Sequence, residues 1–191
     1  MVISVEDKDL RRQEFSTSCW ISTAQFLLQY MKVDVPLAEL QTRYYNPDPD
    51  SASLMSGAGK PTQILKDYSS KSGRIPETLS VKPEEPNNRT EVVKAIAGSI
   101  KAGVPVIALI KSQQVQGFGH ALVITAIEED TGTIGFKDPA TGTSPRPFAV
   151  DVRTVPYEEL VRGFAYRYAN SMQQNVFAYC TRIIYLRPAP K

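Results

Sequence analysis

The 191-residue sequence contains one histidine and two cysteines, and these small numbers limit the chemistry that it can support. Two cysteines, Cys19 and Cys180, are too few for a disulfide framework. Together with His120 they supply fewer ligands than a structural zinc site uses. We therefore expect no zinc site, and we expect the two cysteines to have different roles.

The sequence also lacks a charge excess and a long apolar run. It has 22 basic and 20 acidic residues, a formal net charge of +2 and no basic cluster, so no nucleic-acid partner is expected. No segment approaches the roughly 20 apolar residues of a membrane-spanning helix, and residues 1–8 lack the features of a signal peptide. These absences predict no integral membrane association and a chain that is cytoplasmic as expressed or secreted without a cleavable signal. The oligomeric state cannot be predicted from them.

The composition that remains is that of one soluble domain. Hydrophobic residues make up 42% of the chain and charged residues 22%, and no linker separates two cores. We expect a single catalytic domain over residues 1–191, with a helical half over about 1–103 and a β-sheet half over about 104–191.

Apolar spacing in the first half is typical of helices. The strongest pattern runs from Ser16 to Met31, with Ser16, Thr17 or Ser18 available as the N-cap, and it places Cys19 in the first turn. The proline-rich segment 73–89 predicts a loop-rich crossover. The other predicted helices cover 34–45, 60–70 and 91–102, the last one capped by Thr90.

The second half is rich in branched residues, which favour strands. The turn Glu128–Gly132 predicts a hairpin between the strands on either side of it. One more helix is predicted, over 155–168 after Thr154. Strands are predicted over 104–110, 120–127, 133–137 and 175–186, so that the fold class is α+β with an antiparallel sheet and a cleft between the two halves.

Cys19 and His120 have the features of a nucleophile and its base. A thiol becomes a strong nucleophile when its surroundings favour the thiolate, and a helix N-terminus and a neighbouring imidazole both do so. The imidazole can only be His120, which begins an apolar strand directly after Gly119. The alternative is a buried or surface histidine without a catalytic role.

Asp138 is the candidate for the group that orients His120, because a catalytic imidazole needs a third residue to fix its tautomer. If the two strands pair through the hairpin, Asp138 returns beside His120. Taken alone, Asp138 before a proline is more typical of a turn. Asn170 and Asn175 are weaker alternatives in a polar loop.

An acyl-transfer site also needs hydrogen-bond donors for an oxyanion. The Cys19 N–H is one, and the Gln13 side-chain amide is a candidate for the second, although a solvated loop glutamine is equally typical. Trp20 is either a core residue or a cover over His120 and Asp138. Cys180 lies in an alternating strand pattern and is expected to be a buried structural thiol. The acidic run Glu128–Asp130 lacks the ligand spacing of a calcium loop and is expected to be a solvated turn.

The ordered set Gln13, Cys19-Trp20, Gly119-His120 and Asp138-Pro-Ala-Thr-Gly142 resembles the papain clan of cysteine peptidases. The chain is most similar to small bacterial members, namely the type III effector peptidases of plant pathogens and the bacteriocin-leader peptidase-like group. The resemblance implies a papain-like fold, catalytic roles for Cys19, His120 and Asp138, an oxyanion role for Gln13, and flanking positions for Trp20 and Gly119. The segment after Asp138 matches no pattern of these groups, so the resemblance does not predict the substrate preference.

Two functions follow from these residues. The first is a thiol peptidase, acting without cofactors on a protein or peptide through an acyl-thioester, and a secreted bacterial effector with a virulence role is one such enzyme. An amidase, deamidase or acyltransferase would use the same triad. The second is an inactive papain-fold module that binds a peptide or protein.

Overall fold

The computed structural model describes residues 1–6, 8, 10, 18–45, 60–115, 119–140, 153–167 and 175–190. Within these ranges the chain forms six helices and eight strands. The helices are α1 (Cys19–Tyr30), α2 (Leu37–Tyr44), α3 (Lys60–Asp67), α4 (Ser69–Ser72), α5 (Pro86–Lys101) and α6 (Tyr157–Arg162). The strands are β1 (Val2–Ser4), β2 (Arg74–Ser80), β3 (Val106–Ser112), β4 (Gly119–Glu128), β5 (Thr133–Lys137), β6 (Arg153–Pro156), β7 (Phe164–Arg167) and β8 (Asn175–Pro188).

All eight strands belong to one antiparallel sheet with the order β2-β8-β3-β4-β5-β6. The short strand β1 pairs with the end of β4, and β7 pairs with the start of β8. The predicted hairpin between β4 and β5 is present, with a register irregularity between Ile124 and Ala126. The α+β class with an antiparallel sheet is confirmed.

The central strand β3 is buried on both faces of the sheet. Because side chains alternate along a strand, its neighbouring residues belong to two different cores. On β3, Ile107 and Leu109 belong to one core with α1, α2 and α3. Val106, Ala108 and Ile110 belong to a second core with α5 and α6. Strand β3 is therefore apolar at successive positions, as expected for a strand covered on both sides.

Helix α1 is almost entirely enclosed, with every residue from Cys19 to Leu28 buried. Ser18 is its N-cap residue by position, although its hydroxyl makes no capping hydrogen bond. A helix that is enclosed on all sides is held by its packing more than by its caps. Its N-terminus, where Cys19 lies, is thus fixed against the sheet.

Two segments of the first half differ from the prediction. The crossover predicted over 73–89 contains β2, because an edge strand accepts a proline such as Pro76. Helix α5 begins at Pro86 and not after Thr90, since proline is favoured in the first turn of a helix. Strands β1 and β2 therefore join the sheet from the half that was predicted to be helical.

The helix predicted over 155–168 is also wrong in its length. Residues 153–156 form β6, α6 ends at Arg162, and Phe164–Arg167 form β7. The break is at Gly163, whose φ of +135° lies in a region that favours glycine. The apolar spacing continues past this residue, and the pattern alone does not show the break.

None of the helices in the described ranges combines the length and the apolar composition needed to cross a membrane.

Candidate active site

Cys19 is the first residue of α1 and is buried. The N–H groups of the first helical turn have no carbonyl partner one turn earlier in the helix, and they point toward the helix N-terminus. The partial positive charge at this end favours an anion such as a thiolate. The structure thus confirms that Cys19 begins the helix.

His120 and Asp138 are brought together by the β4–β5 hairpin. The ladder pairs Val123 with Lys137, so the residue after Lys137 lies close to the start of β4. His120 Nε2 lies 2.7 Å from Asp138 Oδ1, and both side chains are almost fully buried. Because an ionised carboxylate only accepts hydrogen bonds, the Nε2 atom carries the proton in this contact. The predicted contact between the two residues is confirmed.

Cys19 completes this cluster from the helical side. Burial by itself lowers the pKa of His120, but the negative charges of Asp138 and Cys19, together with the hydrogen bond to Asp138, outweigh burial and raise the pKa of His120 to about 10. Nε2 is bonded to Asp138, and Nδ1, the other ring nitrogen, is also buried. The single histidine thus lies between the thiol and the carboxylate, in the protonated state at neutral pH.

Besides its contact with His120, Asp138 accepts hydrogen bonds at both of its carboxylate oxygens. The backbone N–H of Ala140 donates to Oδ1 at 2.8 Å, and the Tyr166 hydroxyl donates to Oδ2 at 2.5 Å. Burial tends to raise the pKa of Asp138, but the charge of His120 and these hydrogen bonds outweigh it and lower the pKa. Asp138 does begin a turn, as its sequence context indicates, and it contacts the histidine as well.

Tyr166 is a site residue that the sequence did not predict. Its position fell inside the helix predicted over 155–168, which gave it no reason to face His120. Its ring centroid lies 5.6 Å from that of His120, and the residue is buried. No sequence pattern could have identified it, because β7 and β5 are brought together only by the curvature of the sheet.

The predicted flanking residues are placed as follows. Gly119 opens β4 opposite Lys111 and is exposed. Trp20 is buried in the helical core, with the Lys60 ammonium 5.0 Å from its ring centroid. The Tyr166 ring lies beside His120. The role of Trp20 as a cover over His120 and Asp138 stays a prediction.

Gln13 lies outside the described residues, so its oxyanion role stays a prediction. The segment before it is anchored near the site. The buried Lys137, which precedes Asp138, donates from Nζ to the Lys8 carbonyl at 2.9 Å. Leu10 is buried in the core around α1. Residues 8 and 10 therefore contact the end of β5 and the core around α1, respectively.

The alternative residues of the sequence analysis have other surroundings. Cys180 is buried on β8, burial raises its pKa to about 12, and its thiol donates to the Arg182 carbonyl. Asn170 lies outside the described residues, and Asn175 pairs with Arg167 in the β7–β8 ladder. Within the described part of the chain, no group of three or more His, Cys, Asp or Glu residues is arranged to hold a metal ion.

Each of the three acidic residues Glu128–Asp130 at the β4–β5 turn contacts another group of the protein. Glu128 accepts from the Thr131 hydroxyl, Glu129 pairs with Lys101, and Asp130 pairs with the N-terminal amine. These exposed contacts are those of a charged surface turn, which matches the expectation for this segment.

Comparisons with known proteins identify the family and the fold. The family model described as "Peptidase_C39 like family" matches residues 5–174. A solved structure of a double glycine motif protease from an AMS/PCAT transporter, in complex with the leader peptide, is similar in fold. Its TM-score is 0.52 at 15% sequence identity, over 99% of this chain and 100% of that one. The search of curated protein sequences found no match.

The family model covers most of the chain, including all three residues of the buried cluster. The structural neighbour shares its papain-like α+β fold over almost the full length. The chain therefore belongs to the Peptidase_C39-like family and is a cysteine peptidase.

Proposed function

We propose that the chain hydrolyses peptide bonds through a catalytic triad of Cys19, His120 and Asp138. The observation that carries the proposal is the position of the only histidine, which is hydrogen-bonded to a buried carboxylate and interacts with the thiol at the start of α1. A nucleophile, a base and an orienting group within reach of one another are the arrangement that nucleophilic catalysis requires.

The first half of the reaction forms a thioester. The Cys19 thiolate attacks the carbonyl carbon of the scissile bond, and the electron pair of the C=O bond moves onto oxygen. The Cys19 N–H at the helix N-terminus and the Gln13 side-chain amide would donate hydrogen bonds to this oxyanion. His120, already protonated, gives its Nδ1 proton to the leaving amine as the C–N bond breaks.

The second half regenerates the enzyme. Neutral His120 now accepts a proton from water, and the resulting hydroxide attacks the thioester carbonyl. The C–S bond breaks, the acid product leaves, and the thiolate and the imidazolium form again. Asp138 keeps the imidazole in one orientation throughout and stabilises its positive charge. The residues need no metal or organic cofactor for these steps.

A peptide that ends in a double glycine motif is the first substrate to test. The similar solved structure is that of a double glycine motif protease with a leader peptide bound. We therefore propose a peptide substrate for this chain, cleaved after a pair of small residues that can approach a buried thiol.

The test is an incubation of the purified protein with leader-type peptides in H₂¹⁸O, followed by mass spectrometry of the products. The matched pair of variants is Cys19→Ala and Cys180→Ala. We expect cleavage after the glycine pair, with ¹⁸O in the new carboxylate, in the wild type and in Cys180→Ala only. Replacing the glycine pair in the peptide by bulky residues should abolish cleavage.

Other products would indicate the other chemistries of the same triad. A mass change without chain scission would indicate a deamidase or amidase, and a product joined to an added amine would indicate an acyltransferase. Peptide binding without any reaction, together with an unreactive Cys19, would contradict the proposal and indicate a binding module. The role as a bacterial effector stays a prediction from the resemblance, and its test is delivery of the protein into a host cell.

A further inference from the structure

The hydrogen bond from Tyr166 to Asp138 joins β7 to the residue after β5, although these strands are not neighbours in the sheet. Strand β7 pairs with β8, and four strand intervals separate it from β5, which precedes Asp138. In a flat sheet these intervals would put Tyr166 about 19 Å from Asp138. The 2.5 Å hydrogen bond therefore requires the sheet to curve toward the face of the second core, to which Tyr166 belongs.

The two oxygens of Asp138 are held by different groups. Oδ1 accepts from His120 Nε2 and from the Ala140 N–H, and Oδ2 accepts from the Tyr166 hydroxyl. A carboxylate bonded at one oxygen only can rotate about its terminal torsion, which is broad for aspartate. The bond from Tyr166 opposes this rotation, and a short O–H···O⁻ bond is among the stronger hydrogen bonds.

A purely structural role would not need the hydroxyl. Tyr166 is among the largest fully buried side chains, in a core that includes Phe136 and Phe164. Phenylalanine would fill the same volume without the cost of burying a polar group. The hydroxyl donates to the carboxylate that contacts the histidine.

We propose that Tyr166 is a positioning residue of the triad, whose hydroxyl holds the Asp138 carboxylate in the orientation that bonds His120. Its ring also covers the His120–Asp138 pair on the side of β7 and keeps water from it. The proposal rests on the triad proposed above, and Tyr166 acts through Asp138 without contacting the substrate.

The test uses Tyr166→Phe and the matched control Tyr157→Phe, which removes another buried phenol from the same core. Two readouts need no substrate, so they remain informative if the peptide specificity is wrong. One is the rate of Cys19 alkylation by iodoacetamide across pH. The other is the ¹⁵N-edited NMR signal of the single histidine.

We expect Tyr166→Phe to slow Cys19 alkylation at neutral pH by about tenfold, the change that corresponds to the loss of one hydrogen bond to a charged group. Its Nε2 proton should exchange faster with water, and Tyr157→Phe should change neither readout. The effect of Tyr166→Phe should also vanish in an Asp138→Asn background, because the two residues act as one unit. A folded Tyr166→Phe protein with wild-type alkylation and proton exchange would overturn the proposal.

A second variant covers the case in which Tyr166→Phe does not fold. Tyr166→3-fluorotyrosine keeps the ring and the hydroxyl but makes the phenol a stronger donor. It should draw charge from Asp138 and lower the pKa of His120, as measured on the same NMR signal. An unchanged His120 titration in this variant would contradict the proposal.

Discussion

The two cysteines of the chain are both buried, but their surroundings differ. Cys19 lies at a helix N-terminus and interacts with an imidazole that is hydrogen-bonded to a carboxylate. Cys180 lies in the middle of a strand, where burial raises its pKa to about 12 and its thiol donates to a backbone carbonyl. Burial alone makes a thiol inert, and a buried thiol becomes a candidate nucleophile when charged partners are buried with it.

The largest expected effect comes from replacing each cysteine by alanine in turn. Cys19→Ala should remove peptide cleavage entirely, because no other thiol contacts the base. Cys180→Ala should retain activity and lose about 1 kcal/mol of stability through the small cavity that it leaves. Product analysis and denaturant unfolding measure the two effects. Equal loss of activity in both variants would remove the distinction between the thiols.

Removal of the imidazole should have the next largest effect. His120→Ala should lower kcat by about 10²- to 10⁴-fold, the usual contribution of a general acid–base. It should also make Cys19 as slow as Cys180 toward iodoacetamide in the folded protein. A fast Cys19 in this variant would mean that the helix N-terminus alone activates the thiol.

The Asp138 charge is part of the surroundings of Cys19 and not of those of Cys180. Asp138→Asn measures how much this charge raises the pKa of His120. Loss of the carboxylate removes a charge that raises the pKa of His120, so that burial dominates and the NMR titration moves to lower pH. The alkaline limb of activity should move in the same direction. A variant titration equal to that of the wild type would contradict the coupling of His120 to Asp138.

The same pair predicts how stability depends on pH. For His120 the folded-state pKa is raised from 6.5 to about 10, so its contribution is complete below pH 6.5 and is lost as pH rises through about 10. For Asp138 the pKa is lowered, so its contribution is present above the ordinary value of 3.8 and is lost as pH falls below it. Asp138→Asn should flatten both limbs in thermal melts.

The smallest effect concerns β7, the strand that carries Tyr166 and borders the strand of Cys180. In Gly163→Ala the new methyl would collide with the Phe177 ring, and the φ of +135° would be strained, so we expect a loss of about 1–3 kcal/mol. The control Gly98→Ala has open space on α5 and should stabilise the chain by up to about 1 kcal/mol. Denaturant midpoints compare the two, and equal midpoints would mean that Gly163 does not constrain β7.

The sequence predicted the fold class and the contact between His120 and Asp138, but it missed two strands. Cys19, His120 and Asp138 follow from local features, namely a helix start, a strand start and the end of a hairpin, and the pairing of β4 with β5 confirmed that two of them meet. The strand β2 was missed because Pro76 within it and the prolines that follow it are typical of loops. The strand β7 was missed because the apolar spacing typical of a helix continues past Gly163, where α6 has already ended.

Tyr166 could not be predicted for a different physical reason. Its contact with Asp138 depends on the curvature of an eight-stranded sheet, which no local pattern encodes. Periodicity shows which face of an element is apolar, but it does not show which distant elements meet across the core.

The central claim is that Cys19 is activated by His120 and that Cys180 is not activated. The most direct test is alkylation of the folded protein by iodoacetamide at neutral pH, followed by intact-mass and peptide analysis of the wild type and of His120→Ala. We predict one fast adduct, on Cys19, that becomes slow in His120→Ala while Cys180 stays unmodified in both proteins. Equal labelling of the two cysteines in the wild type, or a fast Cys19 without His120, would contradict the account.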